Sequence, residues 1–180
     1  MLKLTAFIAS IPLIIGVNAA NAAILGPYAA SCQKGSQTPA ILVHVEGLKN
    51  RNGTLRVQAY EADQKVYFEK GKYLNRVEMP LPSEGTIDVC LTVPKAGDYT
   101  VLVRHKNGDS DREDGGGFSG NPSMSLMDVA LKHKPPLKAS TITVSNSVLD
   151  IKIIMKYIQG LSFKPIASAG QDNKKSEVTR

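Results

Sequence analysis

The sequence predicts an all-β protein, an antiparallel β-sandwich of about seven or eight short strands. Segments in which apolar and polar residues alternate recur at roughly ten-residue spacing from residue 40 onward. Glycine, proline, asparagine and aspartate separate these segments. A long apolar pattern of helical period is absent, so the chain favours sheets over helices.

Residues 1–22 are expected to be a cleavable signal peptide. Lys3 supplies a positive start, Leu4–Val17 is an apolar run, and Ala20–Ala22 is a small-x-small cleavage site. The run is shorter than the roughly 20 residues of a membrane span, so an uncleaved anchor is the lesser alternative. The mature chain is therefore expected in the periplasm or secreted, not spanning a membrane.

The two cysteines, Cys32 and Cys90, are expected to form one disulfide in that oxidising compartment. Cys90 alternates with Val89 and Leu91, so it points away from the core and ties the segment 23–39 across the outer face of a sheet. Two free thiols or a redox pair are the alternative, which the lack of a Cys-x-x-Cys motif weakens.

The mature chain has a mild positive charge without a basic patch. The whole sequence has 22 Lys and Arg against 16 Asp and Glu, a net charge of +6, and the signal contains one of those lysines. This distribution argues against a nucleic-acid partner and leaves a small ligand or an envelope protein as the expected partner.

One domain is predicted over residues 40–158, with a polar, flexible tail at 159–180. The first two strands are expected to form a hairpin through the turn Asn50–Gly53. Gln64–Tyr73 has poor periodicity and is expected to be a loop or a short helix-like segment. The predicted strands lie near 41–46, 55–60, 74–79 (an edge strand), 87–93, 99–105, 124–132, 141–144 and 149–157.

The centre of the chain carries the expected functional site. Tyr99, Val101, Val103 and His105 share one side of a strand that begins at Gly97. Lys106–Pro122 follows, and its glycines, carboxylates and asparagines predict a loop rather than a strand.

These residues resemble the DUF2141 family of exported bacterial proteins. The resemblance rests on Gly97-x-Tyr99-x-Val101-x-Val103-x-His105, on Gly117-Phe118-Ser119 before Asn121-Pro122, on Gly53–Val57, and on a closing strand that ends at Tyr157. It implies an exported, sandwich-like domain over about residues 40–158 and no particular activity. Lys106 stands where the family usually has aspartate. The Tyr99 strand is also similar to those of transthyretin-like sandwiches, and the fold is expected to be of an Ig-like or transthyretin-like kind.

Calcium is the metal that the loop would suit. Hard oxygen ligands at alternate positions of a glycine-containing turn can wrap Ca²⁺. The candidate ligands are Asn107, Asp109, Asp111, Glu113 and Asp114. Arg112 and Phe118 occupy the sixth and twelfth places counted from Asn107, so the loop is not an EF-hand. Ordinary turn chemistry remains the alternative.

The function predicted from these residues is non-enzymatic ligand or partner binding at the loop 106–122. His105 is expected to be hydrogen-bonded at the rim of the core and Phe118 to plug one end of the fold, with Ser119 and Asn121 in the same loop. The alternative is a small periplasmic hydrolase that uses His105 with the loop carboxylates or Ser119. Gly117–Asn121 is not a Gly-x-Ser-x-Gly motif, which weakens that alternative.

Overall fold

A computed structural model describes residues 23–108 and 114–166 of the chain. Its strands are β1 Ile24–Leu25, β2 Ala40–Glu46, β3 Thr54–Glu61, β4 Asn75–Pro80, β5 Asp88–Thr92, β6 Gly97–Lys106, β7 Gly115–Phe118, β8 Thr141–Val144, β9 Val148–Ile154, β10 Lys156–Gln159 and β11 Ser162–Pro165. Two short α-helices, α1 Leu126–Ala130 and α2 Leu137–Ser140, and a 3-10 helix at Ala29–Cys32 complete the described elements.

The strands form two sheets, which confirms the predicted β class. The smaller sheet has the order β1-β5-β2-β9, and the larger has the order β11-β10-β7-β6-β3-β4, with β8 beside β6. All pairs of the larger sheet are antiparallel, and so is the β2–β5 pair. The β1–β5 and β2–β9 pairs are parallel, so the smaller sheet is not antiparallel throughout as the sequence predicted.

Both sheets contribute to one hydrophobic core. Ile41, Val43 and Leu91 come from the smaller sheet, while Val57 and Val101 come from the larger one, and all five are at most 1% exposed. The alternation read from the sequence is therefore the alternation between core and outer face.

The chain passes from one sheet to the other at Met155. Its N–H donates to the carbonyl of Glu46 at 2.8 Å as the last contact with the smaller sheet. Lys156 and Tyr157 then pair with Gly116 and Gly115 in the larger sheet. Residues 149–157, which the sequence predicted as one strand, therefore contribute to β9 of the smaller sheet and to β10 of the larger sheet.

The predicted hairpin of the first two strands is wrong. β2 belongs to the smaller sheet and β3 to the larger one, so residues 47–53 cross between the sheets. The glycine of the turn packs closely there: Gly53 has a φ of +77°, and a Cβ atom on it would lie 1.9 Å from the carbonyl oxygen of Lys106. A tight turn of this composition is compatible with a hairpin or a corner, and close packing against β6 selects the corner.

The strand predicted at 124–132 is also wrong, because residues 126–130 form α1. Ser125 caps this helix by accepting from the N–H of Asp128, whose side chain accepts from the N–H of Ser125 in turn. This reciprocal capping box starts a helix where the apolar residues alone were ambiguous.

The disulfide Cys32–Cys90 is confirmed, with 5.8 Å between the two Cα atoms. Cys32, Ala40 and Cys90 form a small second cluster on the outer face of the smaller sheet. Within segment 23–39, β1 also pairs with β5, so the disulfide and this strand pair both hold the segment to the smaller sheet.

The carboxyl end of the described chain is more ordered than the predicted flexible tail. β11 pairs with β10 from Lys156↔Pro165 to Gln159↔Ser162. The remainder of the predicted tail, 167–180, and the predicted signal peptide, 1–22, lie outside the described residues. No helix in the described ranges has the length and apolarity needed to cross a membrane.

Candidate functional site

Part of the predicted acidic glycine loop is a strand. Gly115–Phe118 forms β7 between β6 and β10, which corrects the prediction that 106–122 is wholly a loop. A Cβ atom on Gly115 would lie 2.4 Å from the ring of Tyr157, and one on Gly117 would lie 2.6 Å from Cγ2 of Ile153. Gly115 and Gly117 therefore lie where neighbouring side chains pack directly against the backbone. In the sequence alone, glycine at such a position in a strand cannot be distinguished from glycine in a loop.

His105 is held in the core by hydrogen bonds at both ring nitrogens. Nε2 donates to the carbonyl of Asn52 at 2.7 Å, so Nδ1 of the neutral ring accepts from the hydroxyl of Tyr157 at 2.6 Å. Burial raises the pKa of Tyr157, against the smaller effect of a hydrogen bond from the backbone N–H of Lys49. His105 is 0% exposed, so it connects the 47–53 crossing to β10 and faces no solvent.

The candidate calcium ligands are only partly described. Asp109, Asp111 and Glu113 lie outside the described residues. Asn107 donates its N–H to Oδ1 of Asp114 at 3.1 Å, and Oδ2 of Asp114 is 3.6 Å from Nη2 of Arg104. Among the described residues there is no group of three His, Cys, Asp or Glu side chains that could hold a metal.

The structure does not bring Ser119 and His105 together. Ser119 is fully buried; its Oγ accepts from the N–H of Val101 at 2.9 Å and donates to the carbonyl of Ser140. Ser119 lies beside Val101, whereas His105 lies four residues further along β6, where it pairs with Gly115. Four residues of a strand span about 13 Å. These two side chains therefore make no nucleophile and base pair.

Asn121 completes the edge of the smaller sheet. Its backbone has a φ of +50°, and its side-chain amide accepts from the N–H of Ile154 at 2.8 Å and donates to the carbonyl of Lys152 at 2.9 Å. Lys156 donates to the carbonyl of Pro122 at 2.5 Å, and burial lowers the pKa of this lysine. The end of the predicted loop is thus bound to β9 and β10.

Phe118 lies in a cleft on the outer face of the larger sheet, not at an open end of the fold. Its ring packs against that of Phe68, with 5.1 Å between the centroids. The cleft has a volume of about 630 Å³. Its apolar lining consists of Phe68, Leu102, Phe118, Met124, Val129, Pro135, Ile158 and Phe163, and Gly115 and Gly116 also line it.

Sequence reasoning missed the cleft, because its walls come from distant segments. Phe68 belongs to the β3–β4 connection, whose periodicity was poor, and Phe163 belongs to the predicted tail. One signal pointed to it: Tyr60, Tyr67 and Phe68 place three aromatic residues within nine positions. In the structure Phe68 contacts both tyrosine rings at centroid distances of 5.6 Å and 5.4 Å.

The rim of the cleft is predominantly basic. Arg104 and Asp114 line it, as do Lys132, His133 and Lys134. Lys134 is paired with Glu69 at 2.5 Å and lies over the ring of Tyr67. The cleft therefore combines an apolar floor with several cationic groups.

A second depression, of about 530 Å³, lies beside the smaller sheet, and His44, Asp88 and Lys152 are among the residues that line it. His44 bridges two carboxylates there: Nδ1 is 2.7 Å from Asp88, and Nε2 is 3.5 Å from Asp150. Thr86 donates to the second oxygen of Asp88 at 2.8 Å. The contacts among these side chains account for their positions without a bound ligand.

The fold and the cleft define a class: a two-sheet β-protein with a ligand-sized, apolar cleft on the outer face of one sheet. The chain belongs to the family described as an uncharacterized protein conserved in bacteria, DUF2141, whose model matches residues 43–152. This confirms the resemblance seen in the sequence. No curated protein and no solved structure matches the chain.

Proposed function

We propose that the protein is an exported, non-enzymatic binding module of the bacterial cell envelope, an Ig-like or transthyretin-like β-sandwich whose ligand lies in the cleft of the larger sheet. The proposed binding site thus includes β7, which is part of the predicted loop 106–122, and it does not depend on calcium binding by the acidic residues. The ligand is a small molecule with a substantial apolar part.

The cleft carries this proposal. Phe68, Phe118 and Phe163 are each only partly buried, whereas large apolar side chains usually find full burial. They surround a hollow of about 630 Å³, within the range of about 300–1,000 Å³ typical of ligand pockets. Gly116 keeps the floor open, because among the described residues a Cβ atom there would meet only Phe163, at 3.7 Å.

Binding is favoured over hydrolysis by the state of the candidate catalytic groups. The hydroxyl of Ser119 and both ring nitrogens of His105 are hydrogen-bonded inside the protein, and both side chains are fully buried. A nucleophile or a base needs access to a substrate. Neither side chain lines the cleft.

Export is supported by the amino-terminal sequence and by the Cys32–Cys90 bond. A fusion of the first 30 residues to an alkaline phosphatase that is active only after export tests it. We expect phosphatase activity and a mature amino terminus at Ala23. An inactive fusion would contradict export.

Titration with the neutral dye N-phenyl-1-naphthylamine tests the cleft. We expect saturable fluorescence enhancement with the mature protein and at least a tenfold weaker Kd for Gly116→Leu, because the leucine side chain would occupy the floor of the cleft, where the ligand would lie. Gly116→Ala is the matched control and should keep most of the binding. Non-saturable binding, or equal binding by the leucine variant with an unchanged Tm, would refute the assignment.

A further inference from the structure

A charged depression adjoins the cleft on the same face of the larger sheet. It has a volume of about 190 Å³ and is lined by Thr54, Arg56, Glu78, Arg104, Lys106 and Asp114. Arg104 and Asp114 also line the apolar cleft. The two hollows therefore share a boundary, and one molecule can contact both.

Strand register places two arginines directly opposite each other in this depression. Arg56 of β3 is the cross-strand partner of Arg104 of β6. Like charges opposite each other in an antiparallel pair are destabilising, since the Cβ atoms are only about 5 Å apart. Lys106, on the same face of β6, adds a third positive charge.

The carboxylates nearby only partly balance these cations. Glu78 is shared, because it pairs with Arg56 at 2.8 Å and also with Arg76. Asp114 approaches Arg104 at 3.6 Å, which is longer than a hydrogen bond. Nε of Arg56 is buried without a hydrogen-bond partner among the described residues. Within the described ranges, the pair of guanidinium groups thus has few acceptors.

We infer that the ligand is an amphipathic anion whose carboxylate or phosphate is held between Arg104 and Arg56 while its apolar chain lies in the cleft. This rests on the proposed function, because the chain occupies the same cleft. Guanidinium groups bind such oxyanions through two parallel hydrogen bonds. An oxyanion between the two arginines removes their mutual repulsion, and a neutral ligand does not.

Asp114 is the natural competitor of that oxyanion. Its carboxylate lies near Arg104, so it repels an incoming anion. It also neutralises part of the positive charge that would otherwise attract the anion. Asp114→Asn keeps an oxygen that accepts from the N–H of Asn107 and removes the negative charge. We expect this variant to bind the anion several-fold more tightly.

Displacement of N-phenyl-1-naphthylamine from the mature protein tests the inference. Decanoate and decyl phosphate should displace the dye at concentrations at least tenfold lower than decanol, since charge-assisted hydrogen bonds outweigh neutral ones. Arg104→Gln should reduce this ratio to about twofold. Lys70→Gln removes the same charge from an exposed position and should change nothing, and Lys106→Gln provides a second variant if Arg104→Gln lowers the Tm.

The outcomes separate the inference from the proposed function. Equal displacement by decanol and decanoate, with the dye bound in the cleft, overturns the anion site and leaves the cleft intact. Failure of the dye to bind overturns both. Inorganic phosphate that binds as tightly as decyl phosphate overturns the amphipathic ligand, because the apolar chain then contributes nothing.

Discussion

Replacing the glycines of β7 by alanine, one at a time, should have opposite effects on the stability of the protein at neighbouring positions. In Gly115→Ala the new Cβ atom would lie 2.4 Å from Cε1 of Tyr157, and in Gly117→Ala it would lie 2.6 Å from Cγ2 of Ile153. Overpacking of this kind typically costs about 1–3 kcal/mol. For a chain of this length about 2 kcal/mol lowers the Tm by roughly 4–8 °C.

Gly116→Ala is the matched control. Of the residues that the structure describes, its Cβ atom would meet only Phe163, at an ordinary 3.7 Å, and alanine is favoured over glycine in a strand interior by about 0.5–1 kcal/mol. We therefore expect its stability to equal or slightly exceed that of the wild type.

Urea unfolding of the three variants, with the disulfide intact, measures these differences. In the double variant Gly117→Ala/Ile153→Ala, the methyl group enters space vacated by the isoleucine, so the two losses should be less than additive. Equal midpoints for all three single variants would refute the reasoning, because they would show that β7 has no close neighbour on its inner face.

Three other predictions follow from the core, the disulfide and the acidic residues. Tyr157→Phe leaves the buried Nδ1 of His105 without a donor and should cost about 2 kcal/mol in urea unfolding, whereas Tyr73→Phe, on an exposed ring, should cost almost nothing. Because burial raises the pKa of Tyr157 in the folded state, its contribution is complete below the unfolded pKa near 10 and falls as the pH rises further, so this difference should shrink in alkaline buffer. Replacing Cys32 and Cys90 together by serine should lower the free energy of unfolding by about 4 kcal/mol, and an unchanged midpoint would contradict the constraint on the unfolded chain. If the acidic residues bind calcium, calcium at one hundred times the Kd should stabilise the wild type by about 2.7 kcal/mol and so raise its Tm, but should not raise the Tm of Asp109→Asn/Asp111→Asn; equal curves with calcium and chelator would rule out the metal site.

Local patterns predicted the strands better than their partners. The alternation of Ile41, Val43 and Val45 and the inward position of His105 are determined within each strand, because core and solvent alternate with every residue. Pairing depends on which distant strand arrives beside an edge. The turn before Gly53 therefore indicated a reversal correctly but could not show that the chain changes sheets there.

The site was harder to predict because it depends on glycines, which have no side chain. Gly115 and Gly117 contribute no side chain, and the reason lies in Tyr157 and Ile153, about 40 residues away. Composition alone cannot distinguish a glycine selected for backbone freedom from one selected for close packing. Phe68 has a backbone φ of +55°, which lies outside the values of both helix and strand. It therefore belongs to neither periodic pattern in the sequence.

The side-chain amide of Asn121 has a consequence for the behaviour of the protein in a crowded compartment. β9 is the outermost strand of its sheet, and the amide occupies one N–H and one carbonyl that a foreign strand would otherwise pair with. Exposed strand edges nucleate intermolecular sheets. Loss of this single carboxamide would lengthen the free edge of β9, so we expect substitution of Asn121 to favour pairing with foreign strands as well as to weaken the fold.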